Sequence, residues 1–123
     1  MDSYKASKAW HISHNLATDV HELARGIPHS DHYNLNAQLR RASATVPTSI
    51  AESVEHALHH KKLECYHLAR DAVVELQEQL QLARDRSYVD QQTFEDLAGR
   101  AISTYHVLTS LIRSTKQSLT ATE

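Results

Sequence analysis

The chain contains very few residues that interrupt a helix: two glycines and two prolines among 123 residues. A fold with many strands needs many tight turns, and glycine and proline are the residues that usually build them. Long helices need few turns, so this shortage predicts a helical chain with few connections. Because 123 residues suffice for one hydrophobic core, we expect residues 1–123 to form a single domain.

Four stretches repeat apolar residues at steps of three and four, which is the period of one helix face. The predicted helices cover residues 3–25, 34–57, 61–86 and 91–116, and residues 117–123 are expected to fray. Short connections make consecutive helices antiparallel neighbours, so the predicted fold class is all-α, an antiparallel up-down-up-down four-helix bundle. The residues predicted to face its core are Trp10, Leu16, Ala17, Val20, Leu23, Ala24, Leu35, Leu39, Ala42, Val46, Ile50, Ser53, Ala57, Tyr66, Ala69, Val73, Leu76, Leu80, Ala83, Phe94, Ala98, Ala101, Ile102, Tyr105, Leu108 and Ile112.

The ends of these helices are predicted from capping residues. Gly26 is expected to take the left-handed conformation after the first helix, and Pro28 prevents that helix from continuing. Asn34 and Asp90 are expected to cap the second and fourth helices with their side-chain oxygens. A turn is predicted within residues 56–61, because a longer second helix would carry its apolar stripe onto charged side chains.

The stretch QLRRASATVPTSIAES, residues 38–53, places Pro47 inside a helical pattern. A proline there removes a backbone donor and crowds the preceding turn, at a cost of about 3 kcal/mol. Because the apolar stripe continues beyond it, we expect Pro47 to bend the second helix without ending it. The hydroxyls expected to help satisfy the freed backbone groups, including the Ser43 carbonyl, belong to Ser43, Thr45, Thr48 and Ser49.

This stretch resembles the motif of the four-helix-bundle family encoded within 23S rRNA intervening sequences. The matching positions are Gln38, Leu39, Arg40, Arg41, Ala42, Pro47, Ile50, Ala51 and Glu52, followed in the third helix by Glu75, Leu76, Gln79 and Leu80. Ser49 and Ser53 depart from the family pattern, which prefers asparagine and glycine there. The resemblance extends over residues 4–116, nearly the whole chain.

The resemblance implies a bundle that assembles into a ring, a homopentamer. The same superfamily includes the accessory variability protein of diversity-generating retroelements, which partners a reverse transcriptase and contacts nucleic acid. The resemblance therefore implies self-association, and it offers nucleic acid or a reverse transcriptase as further partners. The motif residues assigned a structural role are Gln38, Arg41, Pro47, Ile50 and Glu52.

Arg40 and Arg41 have two interpretations. As neighbours on a helix they point about 100° apart, so they cannot face one partner equally. In the first, one is a surface charge and the other forms an ion pair within the protein or its ring, for example with Glu52 or Glu55. In the second, they contact phosphate, since the guanidinium fork matches phosphate oxygens. Residues 38–70 carry five basic against three acidic side chains, which suggests a basic end shared by the second and third helices. The candidate nucleic-acid or subunit contacts are Arg40, Arg41, Lys61, Lys62 and Arg70.

Other chemistries lack the residues they need. The single cysteine, Cys65, allows no intrachain disulfide and no cysteine metal framework. The ten histidines include the pairs His11–His14 and His56–His60, but no HExxH pattern accompanies them. We therefore expect no metal, no cofactor, no small-molecule substrate and no catalytic site, while so many imidazoles suggest an assembly sensitive to pH near 6. No stretch is apolar enough to cross a membrane, and no signal-peptide pattern is present, so we expect a cytoplasmic protein.

The leading functional hypothesis is a non-enzymatic, homo-oligomeric scaffold. The alternative is an accessory module that binds nucleic acid or a reverse transcriptase. A net charge of −2 gives no global attraction to phosphate, so the alternative depends on a concentrated basic patch. The apolar flanks expected to be available to neighbouring subunits are Leu68, Ala72, Leu82, Leu97 and Leu111.

Overall fold

The computed structural model describes residues 2–122, with side chains described for residues 4–121. Four helices account for most of that range, and no residue in it forms a strand, which confirms the predicted all-α class. The helices are α1 (Asp2–Ala24), α2 (Leu35–Val54), α3 (His59–Asp85) and α4 (Gln91–Thr122).

The helices pack as the four sides of a bundle. Each consecutive pair is in contact, and α4 closes the bundle against α1 through the least extensive of the four contacts. Across the described residues, the diagonal pairs α1–α3 and α2–α4 do not approach each other. Arg84 lies over the ring of Phe94, and Arg70 lies over Tyr105, so α3 and α4 run antiparallel. This arrangement is the predicted up-down-up-down topology.

The apolar stripes of α2 and α3 are buried as predicted, with the exception of Ala57. Leu39, Val73, Leu76 and Leu80 have no solvent-exposed surface. Ala57 lies in the connection after α2 and is exposed, because α2 ends at Val54, three residues before the predicted end. α3 begins at His59, two residues before its predicted start, so the turn that was predicted within residues 56–61 lies at residues 55–58.

The stripe of α4 is confirmed at Phe94, Ala101, Leu108 and Ile112, which are buried, and is displaced at Ile102. Ile102 is 49% exposed, whereas Leu97 and Leu111, which were expected to face other subunits, are buried. The displacement arises because Thr104 and Thr115 belong to the buried face. Each hydroxyl donates to the carbonyl four residues earlier at 2.8 Å, so burial leaves it satisfied.

Three further residues correct the set of expected flanks and core positions. Ala72 is buried inside the bundle, and Leu82 packs partly against the core, so of the five expected flanks only Leu68 stays largely exposed. On α1, Trp10 is half-buried beside the core, because Ser13 takes the inward position with its hydroxyl bonded to the Trp10 carbonyl at 3.1 Å.

The α1–α2 connection differs from the prediction at both ends. Gly26 does not adopt a positive φ, because α1 ends through tight turns in which Gly26 and Ile27 donate to carbonyls three residues back. The left-handed residue is Asn34, with φ 53°, and its side chain makes no capping bond. Asp31 takes that role instead: its Oδ1 accepts the N–H of Leu35, the first residue of α2, at 3.4 Å, and also the Tyr33 N–H in the preceding loop at 2.9 Å.

At the start of α4 the predicted cap is confirmed, whereas the predicted end of the helix is wrong. Asp90 caps the helix as predicted, because its carboxylate accepts the Thr93 N–H at 2.7 Å. The helix then continues to Thr122, past the expected end at residue 116. Glu123 lies outside the described residues.

Helix α2 continues through Pro47, as predicted. Pro47 is buried, so its ring contributes to the core at the position where a backbone donor is missing. The hydroxyls of Ser43 and Thr45 donate to the carbonyls of Arg40 and Arg41, at 3.2 and 2.8 Å. These carbonyls lie upstream of the Ser43 carbonyl that proline leaves without its helical donor, so neither hydroxyl relieves it.

Candidate functional site

The two adjacent arginines lie on opposite flanks of α2. Arg40 faces α1 and lines an open cleft of about 360 Å³ together with Arg25, His29 and Asn36. Its Nε–H donates to Asn36 Oδ1 at 2.8 Å. The cleft therefore gathers two guanidinium groups and an imidazole from the end of α1, the following loop and the first turns of α2.

Asn36 organises this cleft, and sequence reasoning missed it. Its side-chain amide is buried and donates to the carbonyls of Ala24 and Ile27 at 2.7 and 2.8 Å. Those carbonyls belong to the end of α1 and the residues after it, so α2 supplies donors to the end of its neighbour. The only local signal was the i, i+4 spacing of Asn36 and Arg40, which does not reveal that the asparagine is buried.

Arg41 faces α3 across a separate surface cleft of about 330 Å³. Glu75 and Glu78 line that cleft with Arg41, so this guanidinium lies in an acidic setting. Gln38 lines it as well and donates to the Tyr33 carbonyl at 2.6 Å, while its own Oε1 accepts from Gln79 at 3.4 Å. The motif residues Gln38 and Arg41 thus lie at the α2–α3 seam.

The remaining basic candidates lie elsewhere on the bundle. Lys62 donates to the Ser53 carbonyl at 2.9 Å and so caps the end of α2. Lys61 pairs with Glu64 on the next turn at 3.8 Å, and Arg70 lies over Tyr105. Because α2 is 20 residues long, about 30 Å separates its two ends, and the basic side chains do not meet at one end as the charge pattern suggested.

The rest of the family motif has a structural setting. Pro47 and Ile50 are buried, while Glu52 is exposed near Cys65. Burial raises the pKa of the Cys65 thiol, and the charges of Glu52 and Glu64 raise it further. A raised thiol pKa is the opposite of what a cysteine nucleophile requires.

A second site that sequence reasoning missed joins the two loops at the Asn36 end of the bundle. The Asp31 side chain is fully buried, and its Oδ2 accepts the Tyr88 hydroxyl at 2.6 Å and pairs with Arg86 Nε at 3.2 Å. The Tyr88 hydrogen bond, followed by the Tyr33 and Leu35 amides and the charge of Arg86, holds the pKa of Asp31 below its usual value. We call Asp31, Arg86 and Tyr88 the loop clasp.

Two exposed apolar surfaces lie on different sides of the bundle. The first, the α1–α2 groove, has a volume of about 450 Å³ and is lined by Ala6, Ser7, Trp10, Ile50, Ala51, Val54 and Glu55. Val54 at its rim is 69% exposed. The Trp10 ring in this groove stacks on His14 with centroids 4.7 Å apart.

The second surface, the α3–α4 patch, consists of Val74 and Ile102, which are 40% and 49% exposed. Arg70 on α3 meets Tyr105 on α4. In antiparallel helices, one turn forward on α3 corresponds to one turn back on α4, so Val74 and Ile102 lie at nearly the same level. In a four-sided bundle the α3–α4 side is opposite the α1–α2 side.

The part of the chain that the structure describes contains neither a group of metal ligands nor a helix that could cross a membrane. Within residues 2–122, no group of three or more histidine, cysteine, aspartate or glutamate side chains is arranged to hold a metal ion. Over the same range, none of the helices combines the length and apolarity needed to cross a bilayer. His11 and His14 both contact the Trp10 ring, which gives this pair a packing role.

Comparisons with known proteins agree with this architecture. The sequence model of the 23S rRNA-intervening sequence protein family matches residues 5–110. No curated protein is significantly similar. Among solved structures, a protein of unknown function from the S23 ribosomal protein family of Bacteroides thetaiotaomicron is similar with a TM-score of 0.80 at 15% identity, over 89% of this chain and 98% of that chain. At that identity the likeness supports the fold alone.

Proposed function

The chain belongs to the 23S rRNA-intervening sequence protein family, and from this premise we propose that it is a non-enzymatic, cytoplasmic scaffold that assembles with copies of itself. The observation that carries the proposal is the pair of apolar surfaces on opposite sides of the bundle, the α1–α2 groove and the α3–α4 patch. Contiguous apolar surface left exposed beside a well-packed core marks protein contacts, whereas single exposed apolar side chains are ordinary.

The positions of the two surfaces favour a head-to-tail contact between copies. A two-fold contact would bring one surface against itself, whereas two different surfaces allow the patch of one copy to enter the groove of the next. Trp10 forms one wall of the groove and supplies an aromatic anchor of the kind that dominates interface energies. Repetition of this contact yields a closed ring when the rotation between copies allows it, and the family resemblance implies five subunits.

Light scattering coupled to size-exclusion chromatography tests the proposal. The wild-type chain is expected to elute with a mass near five times the 13.9 kDa of one copy. Val54→Ser and Ile102→Ser each polarise one of the two surfaces and are expected to raise the dissociation constant about tenfold or more. Leu68→Ser changes a leucine of intermediate exposure, 55% against 69% for Val54 and 49% for Ile102, that lies outside both surfaces, and it serves as the control.

A wild-type monomer at all concentrations would refute self-assembly. If Leu68→Ser dissociated the assembly while Val54→Ser and Ile102→Ser did not, the scaffold would stand but the proposed head-to-tail contact would be wrong. Circular dichroism of each variant separates loss of assembly from loss of folding.

A second proposal is an accessory module that contacts nucleic acid. Its support is the cleft in which Arg25 and Arg40 lie together, since paired guanidinium groups suit phosphate. Lys61, Lys62 and Arg70 support it less, because they do not line this cleft, and Lys62 and Arg70 are engaged with the Ser53 carbonyl and the Tyr105 ring. Fluorescence anisotropy with labelled RNA at about 50 and 200 mM salt should show binding that weakens steeply with salt; no binding at the lower concentration would exclude this function.

A further inference from the structure

The cleft lined by Arg25, His29, Asn36 and Arg40 has the features of an anion-binding site. Its four lining residues include two permanent positive charges and no carboxylate. The chain as a whole carries a net charge of −2, so this concentration of positive charge is local. We call it the α1–α2 loop cleft, to distinguish it from the apolar groove at the other end of the same two helices.

The guanidinium of Arg40 is held in place by a network that determines its orientation. Because the Asn36 amide nitrogen donates to the carbonyls of Ala24 and Ile27, the Asn36 oxygen must point the other way, toward Arg40. That oxygen accepts the Arg40 Nε–H. The two terminal nitrogens of Arg40 retain their N–H donors for a ligand in the cleft.

A second anchor acts on the Arg40 backbone. The His21 ring nitrogen Nε2 lies 3.1 Å from the Arg40 carbonyl, where it donates from α1 to α2. Arg40 is thus held at its side chain by Asn36 and at its main chain by His21. A guanidinium fixed before the ligand arrives loses less conformational entropy on binding than a free surface arginine.

Two carboxylates from the segments that form the cleft, Glu22 and Asp31, offer little competition for its positive charges. Glu22 pairs with Arg25 at 3.3 Å, but both side chains are largely exposed, and exposed pairs of this kind are weak. Asp31, in the same loop as His29, is buried in the loop clasp with Arg86 and Tyr88. A phosphate oxygen can therefore recruit Arg25 from Glu22 without breaking a buried ion pair.

We propose that the α1–α2 loop cleft binds a phosphate group, with the terminal nitrogens of Arg40 and Arg25 as its main donors and His29 at its rim. Guanidinium groups match phosphate oxygens with parallel charge-assisted hydrogen bonds, which is the basis of phosphate recognition by arginine. The cleft volume of about 360 Å³ exceeds that of one phosphate, so there is room for the group that carries it, as in a phosphate ester or a nucleic-acid backbone. The inference does not depend on self-assembly.

Equilibrium dialysis of the full-length protein with radiolabelled inorganic phosphate, at constant ionic strength, tests this proposal. Saturable binding is expected, with one site in each chain. Arg40→Gln and Arg25→Gln should each weaken it about tenfold or more, because each removes a charge-assisted fork. Arg41→Gln is the matched control: it removes the same charge one residue away, on the opposite flank of α2, and should leave binding unchanged.

The outcomes separate the proposal from nonspecific attraction. If phosphate does not bind saturably to the wild-type protein, or if Arg41→Gln weakens binding as much as Arg40→Gln, the proposal is overturned. Because Arg25 does not bond to Asn36, the Arg25→Gln result stands even where Arg40→Gln disturbs folding.

A competition arm identifies the source of the phosphate. A short oligouridylate that displaces labelled phosphate in the wild-type protein would assign the cleft to a nucleic-acid backbone, and this outcome rests on the second proposed function. Bound phosphate that the oligonucleotide does not displace would assign the cleft to a small phosphate ester. Since the dialysis uses no nucleic acid, failure of RNA binding and failure of the phosphate site are distinguishable.

Discussion

Replacement of Asn36 by alanine tests whether α2 fastens the end of α1 as the structure indicates. The substitution removes two hydrogen bonds to buried carbonyls, those of Ala24 and Ile27, and one to the Arg40 guanidinium. Each neutral bond contributes about 1 kcal/mol net, and buried carbonyls that lose their donors add to the cost. The hydrogen bond to Arg40 contributes less to the lost stability, because the exposed guanidinium can form hydrogen bonds with water instead. We expect a loss of about 2–4 kcal/mol in the free energy of unfolding.

The Ala24 carbonyl limits this loss, because it also accepts the Ile27 N–H at 3.0 Å and keeps one partner. Asn36→Asp provides a second variant of nearly equal size. It keeps an acceptor for Arg40 but turns an oxygen toward the two carbonyls, so it should destabilise the protein at least as much as alanine does at neutral pH.

Urea unfolding followed by circular dichroism measures both variants, at one protein concentration because self-association would couple to stability. With a urea dependence of about 2 kcal/mol/M, the expected loss lowers the midpoint by about 1–2 M. Asn34→Gly is the control: it deletes an exposed amide that makes no capping bond, at a left-handed position that glycine tolerates. The reasoning is refuted if Asn36→Ala unfolds within about 0.5 kcal/mol of the wild type.

Three further predictions concern other parts of the fold. The Tyr88 hydrogen bond lowers the pKa of Asp31 in the folded protein. The ionised Asp31 therefore stabilises the fold above its unfolded pKa of about 3.9, and this stabilisation is lost as the pH falls through the folded pKa. Asp31→Asn should flatten the decline of the urea midpoint at acidic pH, and an unchanged decline would count against the loop clasp. Ser87 has a φ of 62° after α3, so Ser87→Gly should stabilise the protein by about 0.5–1 kcal/mol in the same urea assay, and a loss would show that the serine side chain is needed there. Leu76→Ala, in the core, should cost about 2–5 kcal/mol while Leu68→Ala costs less than about 1 kcal/mol, and equal costs in thermal unfolding would contradict the assignment of the α3 core face.

The buried residues were predicted most reliably from the sequence where large aliphatic side chains form the buried face of a helix. In α3 every predicted core residue is buried, because its stripe consists of aliphatic side chains and one tyrosine, with no serine or threonine that could be mistaken for a surface residue. In α4 the hydroxyls of Thr104 and Thr115 bond to their own helix and enter the core, which a pattern of apolar residues cannot show. The predicted stripe was therefore displaced toward Ile102.

The candidate site was predictable only where helix geometry determines it. The 100° between adjacent helical residues predicted that Arg40 and Arg41 would face different partners, and they line different clefts. Asn36 and Asp31 escaped prediction, because their partners lie 12 and 57 residues away along the chain. No local period encodes such contacts, and asparagine and aspartate near a loop ordinarily suggest only a turn or a cap.

The separation between Asp31 and Tyr88 along the chain also has a consequence for the order of folding. The α2–α3 hairpin closes through a connection of four residues, 55–58, so its contacts are local and can form early. The bond from Tyr88 to Asp31 spans 57 residues and requires both loops to be in place. We expect the clasp to be absent from the folding transition state. Its removal should then accelerate unfolding and leave the refolding rate almost unchanged, so the clasp would determine how long the native bundle persists rather than how quickly it forms.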